Sequence, residues 1–320
     1  MTDISSLKAT LRLPIIASPL FIISTPELVI AQCKAGVVGT FPALNARPAH
    51  VLEDWLKRIT NELAEHDIRH PDRPSAPFGV NQIVHKSNER LHHDLEVCTK
   101  HQVPVVITSL GARPEVNEAV HSYGGLVLHD VINQTFARKA VEKGADGLIL
   151  VASGAGGHAG TLSPFAFVNE TRQWFDGPIA LSGSIASGQA VLAAEAMGAD
   201  LAYIGSAFIA TEEANAPAAY KHAVTEANAS DIVYSDLFTG VHGNYLRKSI
   251  LDSGLDPDNL PAGDISTMNF GSGGNMKKKA WKDIWGAGQG VGAITAVEPV
   301  ARFVDRLENE YLSARSKIAA

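Results

Sequence analysis

The stretch GADGLILVA, residues 144–152, contains the turn and the apolar run that decide the fold. Residues 148–151 are consecutive aliphatic side chains without polar alternation, which is typical of a parallel strand buried on both faces. The glycine turn before this run closes a helix-like segment at residues 136–143. A similar turn, GADL at residues 198–201, follows a second helix-like segment at 188–197. This repetition indicates successive βα units.

Outward from that stretch, eight short apolar runs can be recognised, and each is followed by a helix-like segment. They cover residues 15–18, 37–41, 78–81, 105–108, 125–128, 147–152, 179–182 and 201–205. Eight such units predict an α/β fold of the TIM (β/α)₈ barrel type, which usually takes ~250 residues before insertions. A doubly wound open sheet is the alternative that the same alternation allows.

The pattern changes after the eighth unit. An Ala-rich, helix-like segment is followed by a polar, Gly-rich stretch at residues 239–279 with no strong strand period. An amphipathic helix pattern then returns at residues 298–312. We therefore predict a barrel formed by residues 1–212 and 286–320, and a smaller, mostly helical C-terminal insert domain at residues 213–285 on the substrate side.

Composition and charge limit the partners that this chain can have. The hydrophobic fraction of 45% and the charged fraction of 19% are those of a globular protein, so a disordered or fibrous chain is excluded. With 27 Lys and Arg against 34 Asp and Glu, the net charge is -7, which argues against nucleic acid or an anionic membrane as a partner. A small-molecule partner is favoured.

Cysteine use and the N-terminal sequence bear on the cellular compartment. The only two cysteines, Cys33 and Cys98, cannot form a disulfide framework, and no Cys or His cluster has metal-ligand spacing. We therefore predict a cytoplasmic protein without a metal site. Residues 13–23 are apolar but contain prolines and lack a cleavage site, so we predict no signal peptide. No run approaches the ~18 apolar residues of a spanning helix.

The active site of a TIM barrel lies where the strands end, so the residues after each run are the candidates. The sixth run is followed by SGAGGHAG, residues 153–160, whose glycines let the backbone approach a ligand closely. His158 is the titratable side chain of this loop, and an imidazole with a pKa of ~6.5 suits a general base near neutral pH. We predict His158 as the catalytic residue; the other interpretation is a surface loop with an incidental histidine.

The seventh and eighth runs are followed by SGSIASG, residues 182–188, and GSAF, residues 205–208. Backbone N–H groups of these two loops usually bind phosphate in a TIM barrel, so we predict a phosphorylated cofactor there. The other interpretation is that the glycines only close tight turns. Asn81 ends the third run, and its amide could bind the edge of a flat heteroaromatic ring or could simply form a turn.

Together these segments resemble the nitronate monooxygenase family, formerly called 2-nitropropane dioxygenases, which are FMN-dependent TIM barrels. The resemblance runs over most of the chain. It rests on PIIASPL at residues 14–20, STPEL at 24–28, FGVN at 78–81, GGHAG at 156–160, LSGSI at 181–185, GAD through GSAF at 198–208, and WGAGQ at 285–289. The Gly-Gly-His segment is the most specific of these motifs.

The resemblance implies an FMN-dependent oxidoreductase in which His158 is the catalytic base or the group that polarises the substrate. It implies that the cofactor is held by Asn81, Gly156, Gly157, Gly183, Ser184, Tyr203, Ile204, Gly205 and Ser206, with Ala17, Ser18, Pro19 and Leu20 packing under the isoalloxazine ring. The implied reaction is the oxidation of alkyl nitronates with O₂. Two alternatives are NAD(P)H-dependent reduction of a quinone or enoyl thioester on the same FMN, and a flavin-free barrel that binds a phosphate ligand.

Three positions depart from the family pattern. Ser184 stands where the family has a second glycine after the seventh strand. Val151 stands for a common glutamine, and Asp130 for a lysine that some members have after the fifth strand. The sequence leaves the physiological substrate, the reductant and the oligomeric state open, with a homodimer as one option.

Overall fold

The computed structural model describes residues 4–263 and 283–319. Its main sheet has eight parallel strands in the order β1-β9-β8-β6-β5-β4-β3-β2. A parallel bridge between Ile16 and Val38 brings β1 and β2 together, so the sheet forms a nearly closed barrel. The predicted TIM-barrel architecture is therefore confirmed, and each of the eight predicted runs contains or overlaps one barrel strand.

The strands and helices have the following bounds. The strands are β1 Ile15–Ala17, β2 Gly39–Pro42, β3 Phe78–Ile83, β4 Val105–Ser109, β5 Leu126–Val131, β6 Gly147–Val151, β7 Gly157–His158, β8 Ile179–Ser182, β9 Leu201–Ile204, β10 Ile232–Ser235 and β11 Gly243–Leu246. The helices are α1 Ile4–Ala9, α2 Pro26–Lys34, α3 Val51–Arg69, α4 Leu91–Lys100, α5 Pro114–His121, α6 Gln134–Glu142, α7 Pro164–Arg172, α8 Gly188–Ala196, α9 Ser206–Ile209, α10 Ala218–Glu226, α11 Arg247–Asp252 and α12 Val300–Ala319.

The barrel interior is filled by aliphatic side chains, which leaves polar ones for its carboxyl end. Ile16, Ile107 and Leu128 belong to one buried interior cluster. Because alternate residues of a strand point to the same face, Ser109 and Asp130 follow on the interior face, two residues beyond Ile107 and Leu128. The interior thus changes from apolar to polar at the ends of β4 and β5.

The outer helices pack on the barrel through regularly spaced apolar residues. In α3 the buried side chains are Leu52, Leu56, Ile59 and Leu63, a spacing of three and four residues that forms one apolar stripe. They join a buried cluster with Phe41 of β2. The amphipathic pattern predicted near residues 298–312 is α12, whose buried residues pack in the cluster that also contains β1 and β9 side chains.

A second sheet lies beside the barrel mouth and was not predicted from the sequence. It has three antiparallel strands in the order β10-β11-β7, with Gly243 of β11 opposite His158 of β7. Both β10 and β11 fall in the region predicted as an insert, together with the helices α10 and α11. The assignment of residues 213–285 to a separate domain stays a prediction, and part of the stretch 239–279 lies outside the described residues.

Two features are absent from the described residues. Among residues 4–263 and 283–319, no helix has both the length and the hydropathy that crossing a membrane requires. The same residues contain no group of three or more His, Cys, Asp or Glu side chains that could hold a metal ion.

Candidate active site

The ends of β3, β4 and β5 carry three polar side chains joined by hydrogen bonds, here called the strand wall: Asn81, Ser109 and Asp130. Asn81 Nδ2 donates to Ser109 Oγ at 2.7 Å and to the carbonyl oxygen of Ile107 at 3.2 Å. Ser109 Oγ donates to Asp130 Oδ2 at 2.5 Å. Since both hydrogen bonds of Asn81 use its amide nitrogen, its Oδ1 is the acceptor that this wall offers to a ligand N–H.

Asp130 is the titratable group of the strand wall. Burial raises the pKa of Asp130 to about 6, although the Ser109 hydroxyl that donates to the carboxylate and the nearby backbone N–H of Leu110 both lower this pKa. The carboxyl group therefore changes charge just below neutral pH. A ligand at the barrel mouth would meet either a hydrogen-bond donor or a negative charge at this position.

Two further polar residues follow the barrel strands: Tyr203 lies on β9, and Ser18 comes directly after β1. Burial, with the charge of Asp130 second, raises the pKa of Tyr203 above its usual range, and the nearby Ser18 side chain lowers it by a smaller amount. The phenol is therefore neutral. A Cβ added to Gly205 would lie 3.4 Å from Ser18 Cβ and 3.5 Å from Leu20 Cδ2, so the structure brings these predicted site residues together.

The opposite side of the mouth consists mainly of backbone and is here called the loop wall: residues 153–157, 183–184, 205–207 and 286–289. Gln289 N–H donates to the Gly154 carbonyl oxygen at 2.9 Å, and Gly288 N–H donates to Ser206 Oγ at 2.8 Å. A Cβ on Gly288 would lie 2.4 Å from the Gly154 carbonyl oxygen, closer than real Cβ atoms approach. Glycine is required at position 288 because two backbones meet there.

The turn after β8 has a left-handed backbone. Gly183 has φ +135° and Ser184 has φ +58°. This conformation favours glycine and costs a serine about 1 kcal/mol, which is a physical reason for the family's second glycine at this position. Ser184 N–H donates to the Gly154 carbonyl oxygen at 3.3 Å, so the turn is attached to the Gly-Gly-His loop.

The turn after β9 offers hydrogen-bond donors to an anion. In the described part of the chain, the backbone N–H groups of Gly205, Ser206 and Ala207 have no hydrogen-bond acceptor. Ser206 Oγ accepts from Gly288 N–H, which leaves the hydroxyl proton for a ligand. N–H groups without acceptors at the start of a helix are suited to phosphate.

The start of α8 differs, because the protein itself supplies its acceptors. Gly188 N–H donates to Glu310 Oε2 of α12 at 2.8 Å, and Ala190 N–H donates to Ser187 Oγ at 3.3 Å. The first turn of α8 is thus already capped by a carboxylate. The turn after β9 therefore offers an anion three consecutive N–H groups, at residues 205–207, whereas Gly188 and Ala190 at the start of α8 already have acceptors within the protein.

His158 lies on β7, half-buried between the loop wall and the second sheet. Its Nε2 is 3.0 Å from Thr239 Oγ1. Burial lowers the pKa of His158 to about 4, so the imidazole is neutral at pH 7 and can accept a proton. Asn244 Nδ2 donates to the Ala155 carbonyl oxygen at 2.6 Å and Tyr234 OH to the Ala159 carbonyl oxygen at 3.1 Å, which fixes the loop on both sides of the histidine.

Not all predicted site residues direct their side chains to the mouth. Ala17 and Ile204 pack in the apolar cluster between barrel and helices, so only their backbone can reach a ligand. Pro19 is half-buried between Ser18 and Leu20. Gly157 has φ +67°, and no atom of the described residues lies within 4 Å of an added Cβ, whereas an added Cβ on Gly156 would meet Ser206 Oγ at 3.0 Å.

Comparison with known proteins assigns the family. The family model for nitronate monooxygenase matches residues 3–310. The chain belongs to the nitronate monooxygenase family. It is therefore an oxidoreductase, as the resemblance predicted.

Curated relatives agree with this assignment, and a solved structure shares the fold. A nitronate monooxygenase of Paraburkholderia phytofirmans is 26% identical, with 97% of this chain and 96% of that protein covered. A Mycobacterium tuberculosis protein named as a monooxygenase is 31% identical, but the match covers 51% of this chain and 44% of that protein. A nitroalkane oxidase from Streptomyces ansochromogenes has the same fold, with a TM-score of 0.79, 24% identity and coverage of 97% and 99%.

Three residues of this nitronate monooxygenase-family site were missed by the sequence analysis: Ser109, Thr239 and Asn244. Ser109 lies one position beyond the predicted end of the fourth run, and a polar residue at the end of an apolar strand is a signal that could have identified it. Thr239 and Asn244 lie in the polar stretch after residue 238, where no periodicity distinguishes them. Their contacts depend on pairing with residues 81 and 89 positions away.

Proposed function

We propose that this protein is an FMN-dependent monooxygenase that oxidises alkyl nitronates with O₂, with His158 as the base or the substrate-polarising group. The observation that carries the proposal is a neutral, half-buried imidazole that adjoins the loop wall through Gly156 and Gly157. His158 is two residues from Gly156, whose surroundings include Ser206 Oγ. Membership of the nitronate monooxygenase family supports the reaction class.

The residues present fit FMN. The N–H groups of residues 205–207 and the Ser206 hydroxyl proton are donors for its phosphate. Asn81 Oδ1 and the Asp130 carboxyl group can hydrogen-bond the polar edge of its ring, and Leu20 offers an apolar contact. When bound, FMN would supply the redox chemistry between substrate and O₂.

In this proposal His158 removes the α-proton of the substrate. A neutral nitroalkane becomes a nitronate when its α-proton is removed, and the electron pair of the broken C–H bond forms the C=N bond. The His158 imidazole can take this proton because burial keeps it neutral at pH 7. The imidazolium that results can then donate a hydrogen bond to a nitronate oxygen, so one ring serves as base and as polarising group.

The test is an anaerobic titration of the FMN-reconstituted protein. We expect the protein to retain FMN through dialysis, the flavin absorbance to bleach with an alkyl nitronate, and O₂ consumption to need no nicotinamide. Rapid bleaching by NADH or NADPH without a response to nitronate would instead favour the reduction of a quinone or enoyl thioester. A colourless protein that does not take up FMN would favour the flavin-free phosphate-binding barrel.

A further inference from the structure

We infer that Asp130 is a further functional residue of this site: its carboxyl group takes up a proton when bound FMN is reduced, and this makes reduction of the cofactor depend on pH. The inference rests on the proposed function for the presence of FMN, but not for the identity of the substrate. Asp130 stands near the carboxyl end of β5.

The side chain of Asp130 projects into the barrel. Leu128 of the same strand belongs to the interior cluster, and alternate residues of a strand share a face, so Asp130 is the next interior position. Val127 and Val131 pack instead in clusters between the sheet and the helices. Ser109 Oγ, on the interior face of β4, donates to Asp130 Oδ2. The carboxyl group thus lies at the end of the barrel where this fold binds its ligands.

A residue on the far side of the barrel also faces Asp130. Tyr203 lies on β9, which β8 and β6 separate from β5 in the sheet. It belongs to the interior cluster, and the charge of Asp130 is one of the causes that raise the pKa of Tyr203. The two side chains therefore reach each other across the barrel interior. Asp130 keeps part of its surface exposed, so a ligand that enters the mouth can approach it.

The interior positions at the carboxyl ends of the strands carry no positive charge. On seven strands this position lies two residues after a member of the interior cluster, and on β3 it is Asn81, because Val80 packs outside the sheet. The eight residues are Ser18, Thr40, Asn81, Ser109, Asp130, Val151, Ser182 and Tyr203. Asp130 is the one carboxylate among these eight, and none of them is Lys or Arg. A negative charge placed against this layer therefore meets a carboxylate and no cation.

The other titratable groups around β5 do not change this balance. Burial, with the charge of Lys143 second, lowers the pKa of His129 to about 4, and burial does the same for His158, so both rings are neutral at pH 7. Helices α5 and α6 pack on the outer face of β5, and their titratable residues are Glu115, Glu118, His121, Arg138, Lys139 and Glu142. In the described part of the chain, no charged side chain is among the causes that set the pKa of Asp130.

Reduction of FMN brings a negative charge to this layer. The ring of oxidised FMN is neutral, and an electron pair with one proton at N5 leaves a single negative charge on it. A carboxylate near this charge would repel it strongly, because the effective dielectric of a protein interior is low. Protonation of Asp130 removes the repulsion. The balance is then one electron pair and one proton to the ring, and one proton from solvent to the carboxylate. The electrons come from the nitronate in the proposed reaction and from an electrode in the test.

Infrared difference spectroscopy of the FMN-reconstituted protein locates the second proton. A protonated carboxyl group has a C=O stretching band that a carboxylate lacks, and this band shifts in ²H₂O. In the spectrum of reduced minus oxidised native protein at pH 8, we expect the band to appear. It should be missing in Asp130→Asn and present in Asp72→Asn, the matched control, which removes an exposed carboxylate after α3.

Redox titration of the same samples gives a second readout. Because the pKa of Asp130 is about 6, its carboxyl group is charged above this pH while FMN is oxidised. At a fixed potential, the ratio of reduced to oxidised FMN should therefore fall more steeply with rising pH in native protein than in Asp130→Asn. From pH 6 to pH 8 the additional fall should approach about 100-fold, which is about 60 mV for a two-electron couple. Ser109→Ala should move its onset to higher pH, because Ser109 lowers the pKa of Asp130.

Two results would overturn the inference: no carboxyl band on reduction of native protein, or parallel pH dependences in native protein and Asp130→Asn. The first needs no variant. Failure to bind FMN would overturn the inference together with the proposed function. Failure of the proposed function alone looks different, since an alkyl nitronate would then leave the flavin oxidised while the electrode still produced the Asp130 band.

Discussion

The two sides of the barrel mouth are built in different ways. The strand wall consists of side chains on rigid strands, linked in series from Asn81 through Ser109 to Asp130. The loop wall consists of backbone groups that touch each other, as at Gly288 and Gly154. Side chains can change hydrogen bonding and charge without moving the chain. Backbone contacts provide N–H donors but do not tolerate added atoms. We therefore expect substitutions on the strand wall to alter chemistry and those on the loop wall to alter binding or folding.

The largest effect should come from His158, the reactive group beside the loop wall. His158→Ala should lower nitronate-forming turnover by ~10²–10⁴-fold, the usual contribution of a positioned proton acceptor. FMN retention should not change, because the predicted phosphate donors are elsewhere. Turnover by oxygen electrode and FMN content by absorbance would be measured beside His92→Ala, an exposed histidine on α4. Equal turnover in both variants would remove His158 from the mechanism.

The second-largest effect is expected on FMN affinity, in a variant that tests whether the loop wall binds an anion. Ser206→Asp places a carboxylate among the N–H groups of residues 205–207, where a phosphate would be repelled. At about 4 Å and the effective dielectric of a protein surface, this repulsion predicts roughly a 1000-fold loss of FMN affinity. The control is Ser313→Asp, which adds the same charge on an exposed turn of α12. Flavin fluorescence titration measures the affinity, and full flavin occupancy of Ser206→Asp after dialysis would refute the phosphate site.

A smaller effect is expected on the strand wall, as a pH dependence of stability. The folded pKa of Asp130, about 6, lies above its usual 3.8, so ionisation disfavours the folded state. Native protein should lose stability from Asp130 as pH rises from 3.8 to 6, with no further loss above. Relative to native protein, Asp130→Asn should therefore gain about 3 kcal/mol across this window.

Urea unfolding at a series of pH values measures this difference, and subtraction of the native curve cancels the other titrating groups. Ser109→Ala removes a donor that lowers the Asp130 pKa, so it should move the window to higher pH. A pH-independent difference between Asp130→Asn and native protein would show that the carboxyl group is not perturbed by burial.

The smallest effect is expected on the free energy of unfolding, when either of two glycines of one segment is replaced by alanine. Gly288→Ala puts a Cβ 2.4 Å from the Gly154 carbonyl oxygen, which should cost about 1–2 kcal/mol of unfolding free energy. Gly292→Ala is the matched control, because its Cβ would find its nearest neighbour at 3.9 Å and the residue is exposed. Thermal unfolding of both variants measures the difference. Equal stabilities would mean that the backbone of the loop wall can shift to accommodate the added Cβ.

Much of the barrel could be predicted from sequence, because each parallel strand is buried on both faces. Such a strand therefore appears in the sequence as a run of consecutive apolar residues. The run at residues 179–182 coincides with β8, and the run at 37–41 overlaps β2, Gly39–Pro42. The glycine-rich loops could be predicted for a related reason, since only small residues allow the backbone contacts of the loop wall.

The rest depends on contacts between distant parts of the chain. The strands β10 and β11 have four residues each, and β11 pairs with the two residues of β7. Such short strands carry little periodic signal, and they form because a partner is brought to them by the barrel. The hydrogen bond between Asn81 and Ser109 likewise depends on the register of β3 and β4, which local sequence does not specify.

The cap of α8 has a consequence for how this protein is made. Glu310, which accepts the Gly188 N–H, lies 122 residues further along the chain. During synthesis, eight strands can leave the ribosome while the first turn of α8 still lacks this acceptor and remains exposed to water. The part of the barrel that contains α8 can therefore reach its final stability only after α12 has been synthesised.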